Sequence, residues 1–292
     1  MVEMLNGFAL DLGGTKLAAA RFANGKLAQK AQMPTQANAD FEQLTDNMEE
    51  LLAGLGFQKG DRLGVALTGR LDQQGYWSAV NGGTLPKINN IDVRTALIDR
   101  FGTYLTILND AAAAACGEAH FGVGRGVDIF GYITISTGVG GGIVLKGQPL
   151  TSPNGLAGHI GFMRSPIGEQ LCGSGRFGTV ESVAGGRAIA LQAQRAGHAD
   201  CEARDVFLAH QQGQAWASII VSRAAQAIAI QIADLTSIFG LGRVAVGGSI
   251  GLAQGFIPLI KQYLVDEPEL FRPEIAPAAL GGDSPLYGVL TG

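Results

Sequence analysis

Charged residues are scarce in this chain. Asp, Glu, Lys and Arg together make up 16% of its 292 residues, against about 25% in ordinary soluble proteins, while hydrophobic residues reach 47%. A disordered chain needs the opposite balance, so disorder is excluded. Positive charge is the scarcer sign: 21 Lys and Arg stand against 25 Asp and Glu, a net charge of −4. That argues against a nucleic-acid binder, which presents a basic face. The three cysteines, Cys116, Cys172 and Cys201, are too few and too scattered for a disulfide scaffold, and their odd number points to a reducing compartment. No long uninterrupted apolar run occurs either. The best, 224–239, is broken by Gln226, Gln231 and Asp234 and reads as too short and too polar to span a bilayer. The first ten residues carry Glu3 and lack the basic start and long apolar stretch of a signal peptide. The expectation is a soluble, cytoplasmic protein. There is no tandem repeat, and the alanine run 111–115 is the one low-complexity tract.

Glycine, by contrast, is abundant: 44 residues, roughly twice the usual share of 7%. The glycines gather in short runs between apolar segments, a pattern of tight turns and close backbone approach rather than of a linker. The length suits two domains of about 150 residues each, and the pattern divides at about residue 120, giving lobes 1–120 and 121–292. In the first, a strand at 8–10 enters Asp11-Leu12-Gly13-Gly14-Thr15-Lys16. A hairpin turning at Asn24-Gly25 follows, then a helix over 40–55, where Phe41, Leu44, Met48, Leu51, Leu52 and Leu55 recur at helical spacing. A strand at 62–67, a helix at 91–101, a strand at 105–108 and a helix at 111–120 complete the lobe. The second opens with a strand at 130–136, a glycine turn at 137–142 and a strand at 143–145. An irregular region follows over 147–180, then helices near 182–196 and 214–239 and a strand at 243–246 ending in Gly247-Gly248-Ser249. Strand, glycine turn, strand and helices thus occur twice, which predicts an α/β protein of two related halves facing each other.

The glycine turns carry the first chemical signal. Gly13 and Gly14 let a backbone approach a phosphate and offer N–H donors to it. Thr15 adds a hydroxyl and Lys16 a charge, and Asp11 can hold a magnesium ion through water. The spacing is neither that of a Walker loop nor that of a dinucleotide fingerprint. The turn at Thr137, Gly138 and Gly140 repeats the same physics in the other half, and Gly247-Gly248 would be a third loop, flat enough to lie against an adenine ring. One such loop is ordinary turn chemistry; two leading into short apolar strands suggest a nucleotide held between lobes. Asn109-Asp110 ends the strand 105–108 and precedes a helix. Asp110 can cap that helix or act as a general base towards an attacking hydroxyl. Both roles are compatible, because sites in open α/β sheets lie at strand ends.

Taken together, the segments DLGGTK at 11–16, LNDA at 108–111, STGVGGG at 136–142, GLAGHIG at 155–161 and VGGS at 246–249 resemble, in that order and spacing, the ROK family of sugar kinases. The resemblance covers essentially the whole chain. It implies the sugar-kinase/actin fold, two ribonuclease-H-like domains with a cleft between them, and ATP with Mg2+ as cofactors. It also implies Asp110 as the base acting on a sugar hydroxyl, normally O6, and Gly69, Arg70, Asn81, Asn109 and Glu181 as sugar contacts. The partners it implies are a small-molecule sugar and a second copy of the chain in a homodimer, with no nucleic acid and no membrane. Many hexose kinases of the family carry Glu where this chain has His159. Gly158-His159-Ile160-Gly161 instead resembles the branch acting on N-acetylmannosamine in sialic-acid catabolism. A carboxylate only accepts hydrogen bonds, whereas an imidazole can donate one to an acetyl carbonyl.

Family members usually bind a structural zinc through a second histidine and three cysteines of C-x-C-G-x-x-G-C. In this chain Phe162 replaces the histidine, Ser174 and Thr179 replace two cysteines, and Cys172 alone remains. One thiol cannot hold a closed four-ligand site, so no zinc is expected. Phe162, Met163 and Phe177 are expected to pack where the metal would sit. Other readings within the resemblance are a kinase for glucose or another N-acetylhexosamine, a sugar-responsive repressor and a non-catalytic sugar sensor. The net negative charge and the phosphate loop at Asp11 argue against the repressor. Asp110 and the two phosphate loops argue against the sensor.

Overall fold

The computed structural model describes residues 5–102 and 105–291. In the first half the strands are β1 (Gly7–Leu12), β2 (Lys16–Ala23) and β3 (Lys26–Pro34), followed by helix α1 (Phe41–Gly54) and β4 (Leu63–Leu67). Three short strands, β5 (Arg70–Leu71), β6 (Tyr76–Ser78) and β7 (Ile91–Asp92), form a small sheet of their own before α2 (Val93–Phe101), β8 (Leu105–Asn109) and α3 (Asp110–Phe121). The second half contains β9 (Ile129–Ile135), β10 (Val139–Leu145), β11 (Gln148–Pro149), α4 (Glu181–Ala184), α5 (Gly186–Arg195), α6 (Ala203–Gln211) and α7 (Ala215–Phe239). It closes with β12 (Arg243–Gly247), α8 (Phe256–Leu264), β13 (Glu274–Pro277) and α9 (Ser284–Gly288).

The expected duplication is visible in the strand order. One five-stranded sheet runs β3-β2-β1-β4-β8 and the other β11-β10-β9-β12-β13. In each, the first strand of the half pairs antiparallel with its hairpin partner on one side and parallel with the next strand on the other. Asn24 and Gly25 turn the first hairpin with φ of 52° and 78°, the two positive angles of a type I′ turn that matches strand twist.

One face of the first sheet carries large side chains. Leu10, Val65 and Leu67 pack with Leu44, Met48 and Leu52 of α1 and with buried Trp77. The other face is built from Ala9, Ala18, Ala20 and Ala66, and is covered by Ala113 of α3 and by Leu286, Val289 and Leu290 at the end of the chain. On its opposite side α3 supplies Ala114, Ala115 and Cys116 to a core with Phe130, Tyr132 and Val144 of the second sheet. The alanine run therefore marks a helix sandwiched between the two halves, where only small side chains fit. Where α9 crosses α3 the backbones touch: a methyl on Gly288 would lie 1.6 Å from the Ala113 carbonyl, and one on Gly117 would lie 2.2 Å from that of Ser284. Fully buried Glu118 ties this crossing together, accepting from the backbone N–H of Val123, Ala279 and Leu280 and from the Ser284 hydroxyl.

The far face of the second sheet is covered by helices around α7. At 25 residues α7 is long and apolar enough to cross a membrane by length and composition, which the sequence reading did not allow, and 56% of its apolar window is buried in the protein. Ile228 and Ile232, for instance, are wholly inside the second core.

Two further expectations are corrected. The run read as a turn over 137–142 turns only at Thr137-Gly138, and Val139 to Gly142 already belong to β10. Its glycines are there for contact: methyls on Gly141 and Gly142 would meet Ile160 at 2.2 Å and Ala115 at 2.8 Å. The helix expected over 182–196 is broken at Gly185 into α4 and α5. The break brings the Gly186 and Arg187 N–H groups onto the carbonyls of Ser136 and Thr137.

Candidate active site

A cavity of about 340 Å³ opens between the halves. The β1–β2 turn presents Gly13, Gly14 and Thr15 to it. The turn is tight, with Gly13 N–H donating to the Lys16 carbonyl, and it is braced from the residue after β3 by the Thr35 hydroxyl on the Gly13 carbonyl at 2.9 Å. From the other half come Thr137, Gly138 and Gly140, with Glu181 beneath them accepting from the Val139 N–H at 3.1 Å.

Asn109 and Asp110 stand at the junction of β8 and α3, on the wall of this cavity. The helix cap is Asn109 rather than Asp110: its Oδ1 accepts from the Ala111 and Ala112 N–H groups at 3.0 and 3.1 Å. Its Nδ2 donates to the Gly69 carbonyl at 2.8 Å and to Asp110 Oδ1 at 3.0 Å. All its hydrogen-bonding positions are thus spent inside the chain, so in this structure Asn109 orients Asp110 and Gly69. Asp110 Oδ1 also accepts from Ala111 N–H at 2.8 Å. Burial pushes the Asp110 carboxyl up to about 6 even though these hydrogen bonds pull it down. On β1, Asp11 is pushed up to about 7, first by burial and then by the Asp110 charge, with Lys16 opposing.

His159 lines the opposite part of the cavity, with the Phe162 ring stacked on it at 5.8 Å. Its Nε2 is buried without a hydrogen-bond partner, as is Glu181 Oε1. Burial lowers the His159 pKa and raises that of Glu181. Burial thus disfavours the charged form of each side chain, and each has one hydrogen-bonding atom left over for a bound molecule.

The sequence-derived candidates divide on geometry. Gly13, Gly14, Thr15, Gly69, Asn81, Asn109, Asp110, Thr137, Gly138, Gly140, His159 and Glu181 share one cavity wall. Asp11, Lys16, Arg70, Gly247 and Gly248 stand off that wall. Arg70 donates instead to the Asn154 carbonyl at 3.0 Å, and Gly248, at φ 83°, lies against the Ile135 backbone. The adjoining Ser249 hydroxyl is 3.1 Å from that of Ser136, a wall residue. Sequence reasoning missed Thr84 and Arg187, both on the wall, because nothing local to either residue marks it.

The loop after His159 offers a poor donor set for zinc. Cys172 Sγ is 3.0 Å from Ser174 Oγ, Thr179 accepts from Ser182 N–H, and among the described residues no group of three or more His, Cys, Asp or Glu converges. The expected apolar plug holds only at Met163, which packs against the second core; Phe177 is 49% exposed and Phe162 stacks on His159. A ribbon of backbone hydrogen bonds holds the loop, linking Ser165 to Gly178, Gly178 to Gln170 and Cys172 to Arg176. From α7, Gln231 and Arg223 donate to the Ile160 and Ile167 carbonyls. Polar side chains on a core helix thus do the work expected of the plug.

The N-acetylmannosamine kinase of Pasteurella multocida is 38% identical over 281 residues, 96% of this chain and 93% of that protein. Among solved structures, the ROK hexokinase from Thermus thermophilus matches with a TM-score of 0.84 at 31% identity, covering 98% of this chain and 97% of that one. A ROK family glucokinase from Streptomyces griseus, solved with glucose and AMPPNP, matches at 0.80 and 26%, covering 97% of both. With the ROK family model matching residues 7–291, the paired sheets and the cleft between them have a known lineage: the chain belongs to the ROK family.

Proposed function

We propose that the protein is an ATP-dependent sugar kinase that phosphorylates N-acetylmannosamine at O6, yielding the 6-phosphate and ADP in sialic-acid catabolism. The observation that carries this reading is Asp110: a cavity-wall carboxyl, pushed up to about 6, with a glycine loop from each half beside it. In the reaction Asp110 takes the proton of the sugar hydroxyl as its oxygen attacks the γ-phosphorus, and the bond to the β-phosphate oxygen breaks to release ADP. Gly14 and Thr15, in the turn that Gly13 closes, and Thr137–Gly138 offer backbone N–H groups and hydroxyls to the phosphates, with Lys16, Gly140 and the Gly247-Gly248 loop completing the nucleotide side. Asp11 fits a magnesium ion: its carboxyl and that of Asp110 repel each other, and magnesium takes one or two carboxylates plus substrate phosphates. When bound, the ion would neutralise charge on those phosphates.

On the sugar side, Asn81 and Glu181 meet hydroxyls, and Asn109 and Gly69 set the floor. Arg70 bears on the site through the Asn154 loop. His159 Nε2 donates to the acetyl carbonyl. The unpartnered atoms of His159 and Glu181 support this assignment, and the 38% identity to an N-acetylmannosamine kinase supports the substrate. A division into lobes 1–120 and 121–292, a homodimer and a cytoplasmic location remain part of this reading on the family resemblance.

A coupled ADP-release assay across N-acetylmannosamine, N-acetylglucosamine, mannose and glucose tests it, run on the wild type and on His159→Glu. N-Acetylmannosamine should give the highest kcat/KM, and the variant should lose about 5- to 150-fold of its preference over mannose, the cost of one unpaired buried carbonyl. Preference for glucose in the wild type would move the protein to the hexose branch, and an unchanged ratio in the variant would remove His159 as the reader of the acetyl group.

A further inference from the structure

We propose that Arg187 is a positioning residue for the sugar site, acting from one half of the molecule on a loop of the other. It stands at the start of α5 and is the one lysine or arginine on the cavity wall among the described residues. Its guanidinium reaches across the cleft. Nη1 donates to Asn81 Oδ1 at 3.0 Å, and Nη2 approaches the Thr84 hydroxyl at 3.4 Å and the Gly83 carbonyl at 3.5 Å. Asn81 Oδ1 already accepts from the Gly83 N–H at 3.1 Å. With both acceptor positions of Oδ1 taken, the amide is turned so that its Nδ2 donors are left for a ligand. A guanidinium fork can grip an amide oxygen and a hydroxyl at once, which an ammonium cannot do with the same geometry.

The grip extends to both substrates' territory. Thr84 packs so closely on the first phosphate loop that a methyl on Gly14 would sit 2.6 Å from its Cγ2. On the other side of the loop, Gly82 N–H donates to the Gly173 carbonyl at 3.3 Å, and a methyl on Gly173 would lie 2.1 Å from Asn81. The loop 81–84 is therefore clasped between the second half and the β1–β2 turn, and Arg187 is the side chain that closes the clasp. Its backbone is anchored on the second phosphate loop, through its N–H on the Thr137 carbonyl, so the clasp and that loop move together.

This inference rests on the kinase reading above, and wild-type turnover separates the two: no turnover on any sugar of the panel sinks the reading, whereas active wild type leaves the variants to judge the clasp. In Arg187→Ala the KM for sugar should rise about tenfold, the loss of the charge-assisted hydrogen bond to Asn81 together with the longer contacts to Thr84 and Gly83, with kcat changed by less than about threefold. Arg187→Lys, which keeps the charge but not the planar fork, should recover part of that KM. Thr84→Val, which leaves the arginine in place, should raise the sugar KM by about two- to fivefold, the loss of the long 3.4 Å hydrogen bond from the guanidinium. Calorimetric sugar affinity should follow KM, and the thermal midpoint of Arg187→Ala should stay at the wild-type value because the side chain is exposed. An unchanged sugar KM and affinity in Arg187→Ala would overturn the proposal. So would a fall in kcat at constant KM, which would place the guanidinium on the transferring phosphoryl group.

Discussion

At the scale of single residues, the site is governed by what burial does to carboxyls. Asp110 heads a helix, where the dipole favours its charged form, and it accepts two hydrogen bonds that do the same, yet burial outweighs them and its pKa stands at about 6 against an ordinary 3.8. Below that value the carboxyl holds its proton and cannot accept one from a sugar. The Asp110 limb of kcat/KM should therefore fall as the pH drops through about 6, below the step near 7 that belongs to Asp11. Asp110→Asn should abolish this limb and reduce turnover by about 10²–10⁴-fold, the usual cost of losing a positioned base. A pH–rate profile of wild type and variant checks both. A variant with near-normal turnover would leave Asp110 as part of the helix start alone.

At the scale of elements, the small residues of α3 and α9 let two helices cross at backbone distance. Gly288→Ala puts two effects in opposition. Alanine is the better helix former by about 1 kcal/mol, but its methyl would meet the Ala113 carbonyl at 1.6 Å, and backbone yields poorly. Overpacking should win, lowering stability by about 2–3 kcal/mol, read as a lower urea midpoint; a higher midpoint would show that the crossing has slack. The same elements mark what the sequence shows and what it hides. The Asn24-Gly25 hairpin, the amphipathic α1 and the strand entering DLGGTK are written in local chemistry and were legible. Only the end of β10, 143–145, was legible as strand; its first half was not, because glycines at 140–142 read locally as turn and are placed in a strand by the helix that packs on it. Helix α8, with Phe256, Ile260 and Leu264 four apart, is written in local chemistry but was not read. The break at Gly185 and the two- and three-residue strands β5, β6 and β7 depend on contacts distant in sequence. So does the commitment of Arg70 and Asn109 to partners inside the chain, since a motif shows which residues are present and not what they are bonded to.

At the scale of the whole molecule, the loop after His159 is held by hydrogen bonds. Its one remaining thiol, Cys172, faces Ser174, while α7 reaches the loop from the core with Gln231 and Arg223. The purified protein should contain no stoichiometric zinc, and activity should return fully after treatment with a strong chelator once magnesium is restored. Metal analysis finding one tightly held zinc per chain would show that ligands are recruited from outside the cysteine motif.

The last helix has a consequence for how the protein is made. The alanine face of the first sheet is completed by Leu286, Val289 and Leu290, so one wall of the half synthesised first is supplied by residues synthesised after the whole second sheet. On the ribosome, that half emerges and pairs its strands while an apolar face still waits for its cover. Its folding can finish only after the second half has followed and α9 has left the exit tunnel, so the two halves mature as one unit although their sheets are separate.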